Sequence, residues 1–224
     1  DNKRRSDRDY YRRGARDNRL LLMHKIADDS PNKWQILETK ANFIAGKGLV
    51  FLNEEEKDQA GFFQEIKTKT GKDWIKKLKL NDLLIGSAWQ LAFADEFNWF
   101  VTLGTDGKIE KIRLIDNNDI RAKVLNKTET SVSAYLLSTD FGYRSKVQME
   151  KVKSVPAFDD TDPKKYGSFI LHYHLPKPGQ KFYGFASWWG TEKWSEVSNK
   201  VPEYYDAMFK NGFFVTHQIT VPED

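Results

Sequence analysis

Phe169-Ile170-Leu171-His172-Tyr173-His174, then Phe182-Tyr183-Gly184-Phe185-Ala186-Ser187-Trp188, then Tyr204-Tyr205-Asp206-Ala207-Met208-Phe209-Lys210-Asn211-Gly212-Phe213-Phe214 decide the fold of this chain. The first run is rich in β-branched and aromatic residues, which suits a strand. Pro176-Lys177-Pro178-Gly179 then makes a turn. Trp194, Val197, Val201, Tyr204 and Met208 recur at steps of 3, 4, 3 and 4, the seam of a helix that packs on another helix. Pro202 predicts a kink or restart within it, and Asn211-Gly212 supplies a stop. Phe213 to Val221 is β-like. Residues 181–214 carry 11 of the chain's 31 aromatics. Trp188, Trp189, Trp194, Tyr204, Tyr205 and Phe209 are too dense for one short helix to cover, which predicts burial partly against a neighbouring subunit or the rest of the chain.

Upstream, residues 1–18 read as a frayed or weakly helical Arg/Asp-rich arm, and 19–29 as a short helix. Ser30-Pro31 is a helix start, with Ser30 at the N-cap and Pro31 at the first helical position. Trp34, Leu37, Ala41 and Ile44 mark one apolar face, Gly46-Lys47-Gly48 ends the helix, and Leu49–Leu52 is a short strand. Residues 53–80 predict two helices broken at Gly71, the second running on to Gly86. From Ser87 the pattern reads as strands: 87–96, 98–104 and 108–116, with Thr105-Asp106-Gly107 as a hairpin turn. Ile120–Leu125, Ser131–Ser138, Tyr143–Val155 and Phe169–His174 extend a sheet with one wet face. The fold class is α+β.

Composition narrows the function. The chain has 224 residues, 39% hydrophobic and 14% aromatic, enough for a sizeable core. It has no cysteine, which excludes disulfide scaffolds and thiolate metal sites. Mean hydropathy is −0.67, and no apolar run approaches the roughly 20 residues of a membrane span. No charged-then-apolar leader opens the sequence, so the chain reads as a soluble protein with no membrane partner. Residues 1–25 hold nine Lys/Arg against four Asp, a net charge of +5, and the remainder is net −1. Such an arm either forms a solvated helix of mixed charge or touches nucleic acid or an acidic surface.

Catalytic signatures are missing. Gly46-Lys47-Gly48 and Gly71-Lys72-Asp73 lack the spacing of a nucleotide triphosphate loop and read as turns. His172 and His174 share a strand face without a third metal ligand at useful spacing. Asp159, Asp160 and Asp162 lack the Gly and closing Glu of a calcium loop. No Ser stands in a strand-turn-helix elbow. The sequence predicts no cofactor, no metal and no enzymatic activity. A hydrolase with an unrecognised carboxylate pair is the reading that this leaves at the margin.

Three segments, in order, resemble the portal proteins of tailed bacteriophages. The first runs from Ser30-Pro31-Asn32-Lys33 through Lys40-Ala41-Asn42-Phe43-Ile44-Ala45-Gly46-Lys47-Gly48-Leu49. The second is Leu83-Leu84-Ile85-Gly86-Ser87-Ala88-Trp89-Gln90-Leu91, followed by Asp106-Gly107-Lys108-Ile109 and Arg113-Leu114-Ile115-Asp116. The third is the opening quotation: a strand containing His, a Tyr-Gly-x-small turn, a long helix and an aromatic-x-Asn-Gly stop. Many family members have Ser-Pro after the turn glycine, where this chain has Phe185-Ala186-Ser187.

The resemblance spans about residues 30–221. It implies a basic N-terminal arm at 1–29, a portal-like α+β wing domain at 30–180, a stem-helix region at 181–212, and the start of a clip-like segment at 213–224. The remaining clip and the second stem and tunnel helices of the family have no counterpart here. It implies a ring, usually of twelve subunits, at one capsid vertex of the virion. Double-stranded DNA passes through such a ring without sequence preference, driven by a separate terminase. Implied partners are further copies of the chain, DNA, the terminase large subunit, the major capsid protein and a head-tail adaptor. Lys193, Lys200 and Lys210, with Trp194, Tyr204 and Tyr205, are the candidate DNA or subunit contacts. Any DNA contact would be to phosphates. The competing expectation is a non-enzymatic nucleic-acid-binding protein that uses the basic arm.

Overall fold

The computed structural model describes residues 9–49, 79–125, 131–142 and 151–211. Helices α1 (Arg19–Asp28), α2 (Pro31–Ala45) and α3 (Leu80–Ala94) precede strands β1 (Glu96–Leu103) and β2 (Ile109–Ile115). A short 3-10 turn (Asn117–Asp119) leads into β3 (Ile120–Ala122), β4 (Ala134–Leu137), β5 (Lys153–Pro156) and β6 (Ser168–His174). A second 3-10 turn (Ser187–Thr191) opens α4 (Glu192–Lys210). The α+β class is as the sequence predicts. The expected strand at 50–52, the helices at 53–78, the strand portion 143–150 and everything from Gly212 onward lie outside the described residues.

Two antiparallel sheets carry the core, in the orders β2-β1-β6 and β3-β4-β5. A parallel bridge between Ala157 and Ile170 joins them, and Phe158 N donates to Ile170 O at 2.8 Å. Successive residues of β1 and β6 then face opposite layers, as the two-residue repeat of a strand requires. Phe100 and Ile170 pack with Ile120, Tyr135, Val155 and Tyr183. Val101 and Phe169 pack with Leu80 and Leu83 of α3 and with Ile112. The expected wet face is absent from β1, because α3 covers one side of it and the second sheet covers the other, and exposed positions fall on outer strands such as β2 and β5.

The predicted stop at Gly86 and the strand at 87–95 are corrected: α3 runs unbroken from Leu80 to Ala94. Ala88, Ala92 and Ala94 are strong helix formers. Ala88 and Ala92 also let the helix approach Ala41 of α2 closely. Gly86 serves packing and not termination. A Cβ there would stand 2.6 Å from Leu114 Cδ2, so the glycine seats a β2 leucine on the helix. The helix ends instead at Asp95, which takes the left-handed conformation (φ 57°). The α2 start is as read, with Pro31 at its head, and Leu37 and Ala41 are buried. Ile44 stays exposed, so the fourth member of the expected apolar face is not part of the core. Leu49 is not in a strand.

The largest correction concerns the basic arm. Its described part, from Asp9 onward, is neither frayed nor a solvated helix. Tyr10 bridges Lys123, Tyr11 N donates to Ala122 O at 2.9 Å, and Val124 N donates to Asp9 O at 2.9 Å. The arm is thus paired along the edge of β3, and Tyr10, Tyr11, Arg13 and Asp17 are buried.

Candidate assembly surface

Two consecutive carboxylates at the α3–β1 junction organise the region from which α4 departs. Asp95 and Glu96 have no measurable exposure. A buried carboxylate is tolerated only when it is paired and hydrogen-bonded, and both are. Asp95 receives Lys40 Nζ at 3.3 Å on one oxygen and Lys177 Nζ at 3.2 Å on the other, with Ser187 Oγ at 3.3 Å. Glu96 Oε1 pairs with the Arg13 guanidinium, while Oε2 accepts from the Gly184 N–H at 2.6 Å. A Cβ on residue 184 would stand 2.5 Å from Ala94 O and 2.6 Å from Asp95 O. Glycine is required there for close approach between backbones.

A second ionic layer lies beneath. Arg121 Nε donates to Asp17 Oδ1 at 2.8 Å, and the same oxygen accepts from Arg13 N at 2.8 Å. The Arg13 guanidinium sits 3.9 Å from the centroid of the Tyr183 ring. Tyr183 donates its hydroxyl to Tyr11 O at 2.7 Å and accepts from Ala122 N at 2.8 Å. Burial pushes the Tyr183 phenol up to about 12, so the proton it donates is retained across the working range of pH. Burial also lowers the pKa of Arg121 from its ordinary value. The arm, β1, β3 and the 183–187 turn are locked together by these contacts. Phe185 O accepts from Lys177 Nζ at 2.5 Å, and Trp188 Nε1 donates to Phe93 O at 2.8 Å, which fixes the root of α4.

From that root α4 extends with little of the chain against it. Among its 19 residues Ser195 is the buried one. The expected seam is left largely uncovered by this chain: Trp194 is 76% exposed, Val197 57%, Val201 45% and Tyr204 62%. Tyr205 and Phe209 are also exposed. At 3.6 residues per turn these six side chains share an arc roughly 140° wide. The dense aromatic group divides in two. Trp188 and Trp189 pack against the cluster of Leu20, Met23, Leu37 and Phe93, while those from Trp194 onward stay outside. The helix continues through Pro202 as one element, where the sequence predicts a kink or a restart.

Each sequence-predicted contact residue has a place on α4. Lys193, Lys200 and Lys210 are exposed. Lys193 and Lys200 both border one edge of the apolar arc, and Lys210 is paired with Asp206 at 2.6 Å. Trp194, Tyr204 and Tyr205 lie within the arc. The structure brings the lysines and the aromatics onto one helix but not into a closed site. His172 and His174 have ring centroids 5.4 Å apart, and His172 Nδ1 is 2.6 Å from Asn98 Oδ1. No cluster of three His, Asp or Glu that could hold a metal occurs among the described residues. No described helix is long and apolar enough to cross a membrane. Sequence reasoning missed Asp95, Glu96, Arg13 and Asp17. The one available signal was the adjacent carboxylate pair closing the apolar run 88–94.

Neither a family model nor a curated protein matches this chain. Solved structures do. A chain in the neck of an empty gene transfer agent particle, computed with C6 symmetry, superposes with a TM-score of 0.62 at 13% identity, covering 89% of this chain and 47% of that one. A chain in the virion of a native gene transfer agent particle gives 0.59 at 14% identity, covering 89% and 46%. A chain in the neck of the native particle, computed with C12 symmetry, gives 0.55 at 11% identity, covering 85% and 45%. In fold, this chain resembles part of a particle-neck component. It spans a little under half the length of each of those chains. At such identity the likeness is one of architecture, and it extends over nearly all of the sequence.

Proposed function

We propose that this chain supplies the wing and first stem helix of a phage-type portal subunit. Such subunits assemble into a ring at one capsid vertex, through which double-stranded DNA enters and leaves the virion. The fold likeness to neck and virion chains over 85–89% of the sequence carries the reading. The unburied apolar arc of α4 supports it, since closed rings repeat one heterologous contact between identical copies. The sixfold and twelvefold symmetries used for the related necks favour a ring of twelve.

On this reading residues 30–180 are the wing, 181–212 the stem region and 213–224 the start of a clip, with 1–29 as a leading arm. Trp194, Tyr204 and Tyr205 face a neighbouring copy, and Lys193 and Lys200 meet phosphates or the neighbour's acids. Terminase, major capsid protein and a head-tail adaptor dock on the assembled ring. The subunit is a passive, non-enzymatic conduit. The competing nucleic-acid binder loses ground because Arg13 of the arm is spent on a buried carboxylate and Arg19 lies over the Phe185 ring.

Cryo-electron images of the protein, alone and in particles from the cells that make it, test the reading. A twelvefold ring at one vertex is expected. A protein that stays monomeric at high concentration and is missing from particles overturns it.

A further inference from the structure

Away from α4, the junction of α1, α2, α3 and the β2–β3 turn encloses a half-open recess of about 160 Å³. A cavity of about 150 Å³ holds a six-membered ring, so this one admits a group of that size. Its wall is aromatic. His24 and Phe93 stack with centroids 4.3 Å apart, Trp34 and Phe93 lie parallel at 5.8 Å, and Trp34 and Trp89 are tilted at 6.2 Å. Its polar lining is Gln90, Asp116, Asn117 and Asn118, with Asn118 Nδ2 3.5 Å from His24 Nε2. Gln90 donates its amide N–H to Ile115 O at 2.8 Å, which fixes the amide orientation. Gln90 Oε1 is buried, out of reach of a group in the recess. Asp116 also lines the recess, with Oδ1 accepting from Asn118 N at 2.7 Å.

Aromatic faces carry negative charge density, and a carboxylate is an acceptor. Both features select the same partner. Phosphate-bearing ligands are disfavoured by Asp116 and by neighbouring Asp119, a carboxyl whose pKa is raised by burial and by Asp116. We infer that this recess is a binding site for a small organic cation, an alkylguanidinium or alkylammonium group that stacks on the aromatic wall and donates to Asp116. The site is separate from the apolar arc of α4 and does not depend on the portal reading.

The probe is methylguanidinium, with methylurea as its neutral isostere, followed through the indole N–H resonances of Trp34 and Trp89 in the full chain. Methylguanidinium is expected to shift both resonances saturably, and methylurea to bind at least fivefold more weakly. Asp116→Asn, which keeps the turn's acceptor, should weaken the cation at least fivefold and leave methylurea unchanged. Trp34→Leu is the second variant and should weaken it similarly, with the fold monitored by the remaining amide spectrum. A blocked arginyl tripeptide compared with its citrulline counterpart separates the sources. Tighter binding than methylguanidinium assigns the site to an arginine of a protein segment, and equal or weaker binding assigns it to a free small cation. Equal binding of methylurea, no saturable shift at either tryptophan, or full affinity in Asp116→Asn overturns the inference.

Discussion

The Gly184 N–H donates to Glu96 Oε2 at 2.6 Å, across 88 positions of sequence. This bond ties the turn that launches α4 to the first residue of the central strand. Because Glu96 also holds Arg13, one carboxylate sets both where the arm lies and where the long helix begins.

Gly184→Ala tests the close approach. The added Cβ would meet backbone oxygens of Ala94 and Asp95, which cannot swing aside as a side chain can. A loss of about 2–3 kcal/mol is expected, of the size seen for overpacked sites, read as a lowered urea midpoint with an unchanged slope.

Glu96→Gln keeps an acceptor for Gly184 but leaves the Arg13 cation buried and unpaired. Breaking one side of a buried pair costs about 3–5 kcal/mol. The double variant Arg13→Met with Glu96→Gln should recover most of that. Limited trypsin digestion should cut the arm faster in the single variant than in the parent or the double variant.

Tyr183→Phe removes a hydroxyl that donates to Tyr11 O and accepts from Ala122 N. Two buried backbone groups lose a partner, and a loss of about 1–3 kcal/mol follows. Amide hydrogen exchange should quicken at Ala122 and along the arm, with α2 and α3 little changed.

Val201→Glu and Tyr204→Glu probe the α4 arc. Both side chains are exposed, so the isolated chain should keep its stability to within about 0.5 kcal/mol. Sedimentation velocity should show self-association lost in both. Retained assembly would remove α4 from the subunit contact.

His172 gives the acid limb of stability. Burial depresses its imidazole to about 3, with repulsion from Arg13 and His174 adding to the effect. The unfolded chain takes up a proton near pH 6.5, and the folded chain does so only near 3. The stabilisation is therefore complete above about pH 6.5 and declines as the pH falls toward 3, by at most about 1.4 kcal/mol per pH unit. His172→Gln should flatten that part of the urea midpoint profile.

The sequence alone determined the elements whose cause is local. Pro31 started α2, the residues around Asp106-Gly107 turned the β1–β2 hairpin with Gly107 at φ 71°, and alternation drew β1, β2 and β6. The amphipathic spacing of α4 was legible for the same reason, since a helix repeats itself within four residues. The tertiary structure alone decided the rest. It showed that Gly86 seats Leu114 instead of ending a helix, and that four residues of a charged arm, Tyr10, Tyr11, Arg13 and Asp17, are core. It also showed that the α4 seam stays exposed on its own chain. Arg13 finds Glu96 across 83 residues and Arg121 finds Asp17 across 104. Pairing over such separations is chosen by the shape of the folded chain, and no window of neighbouring residues encodes it.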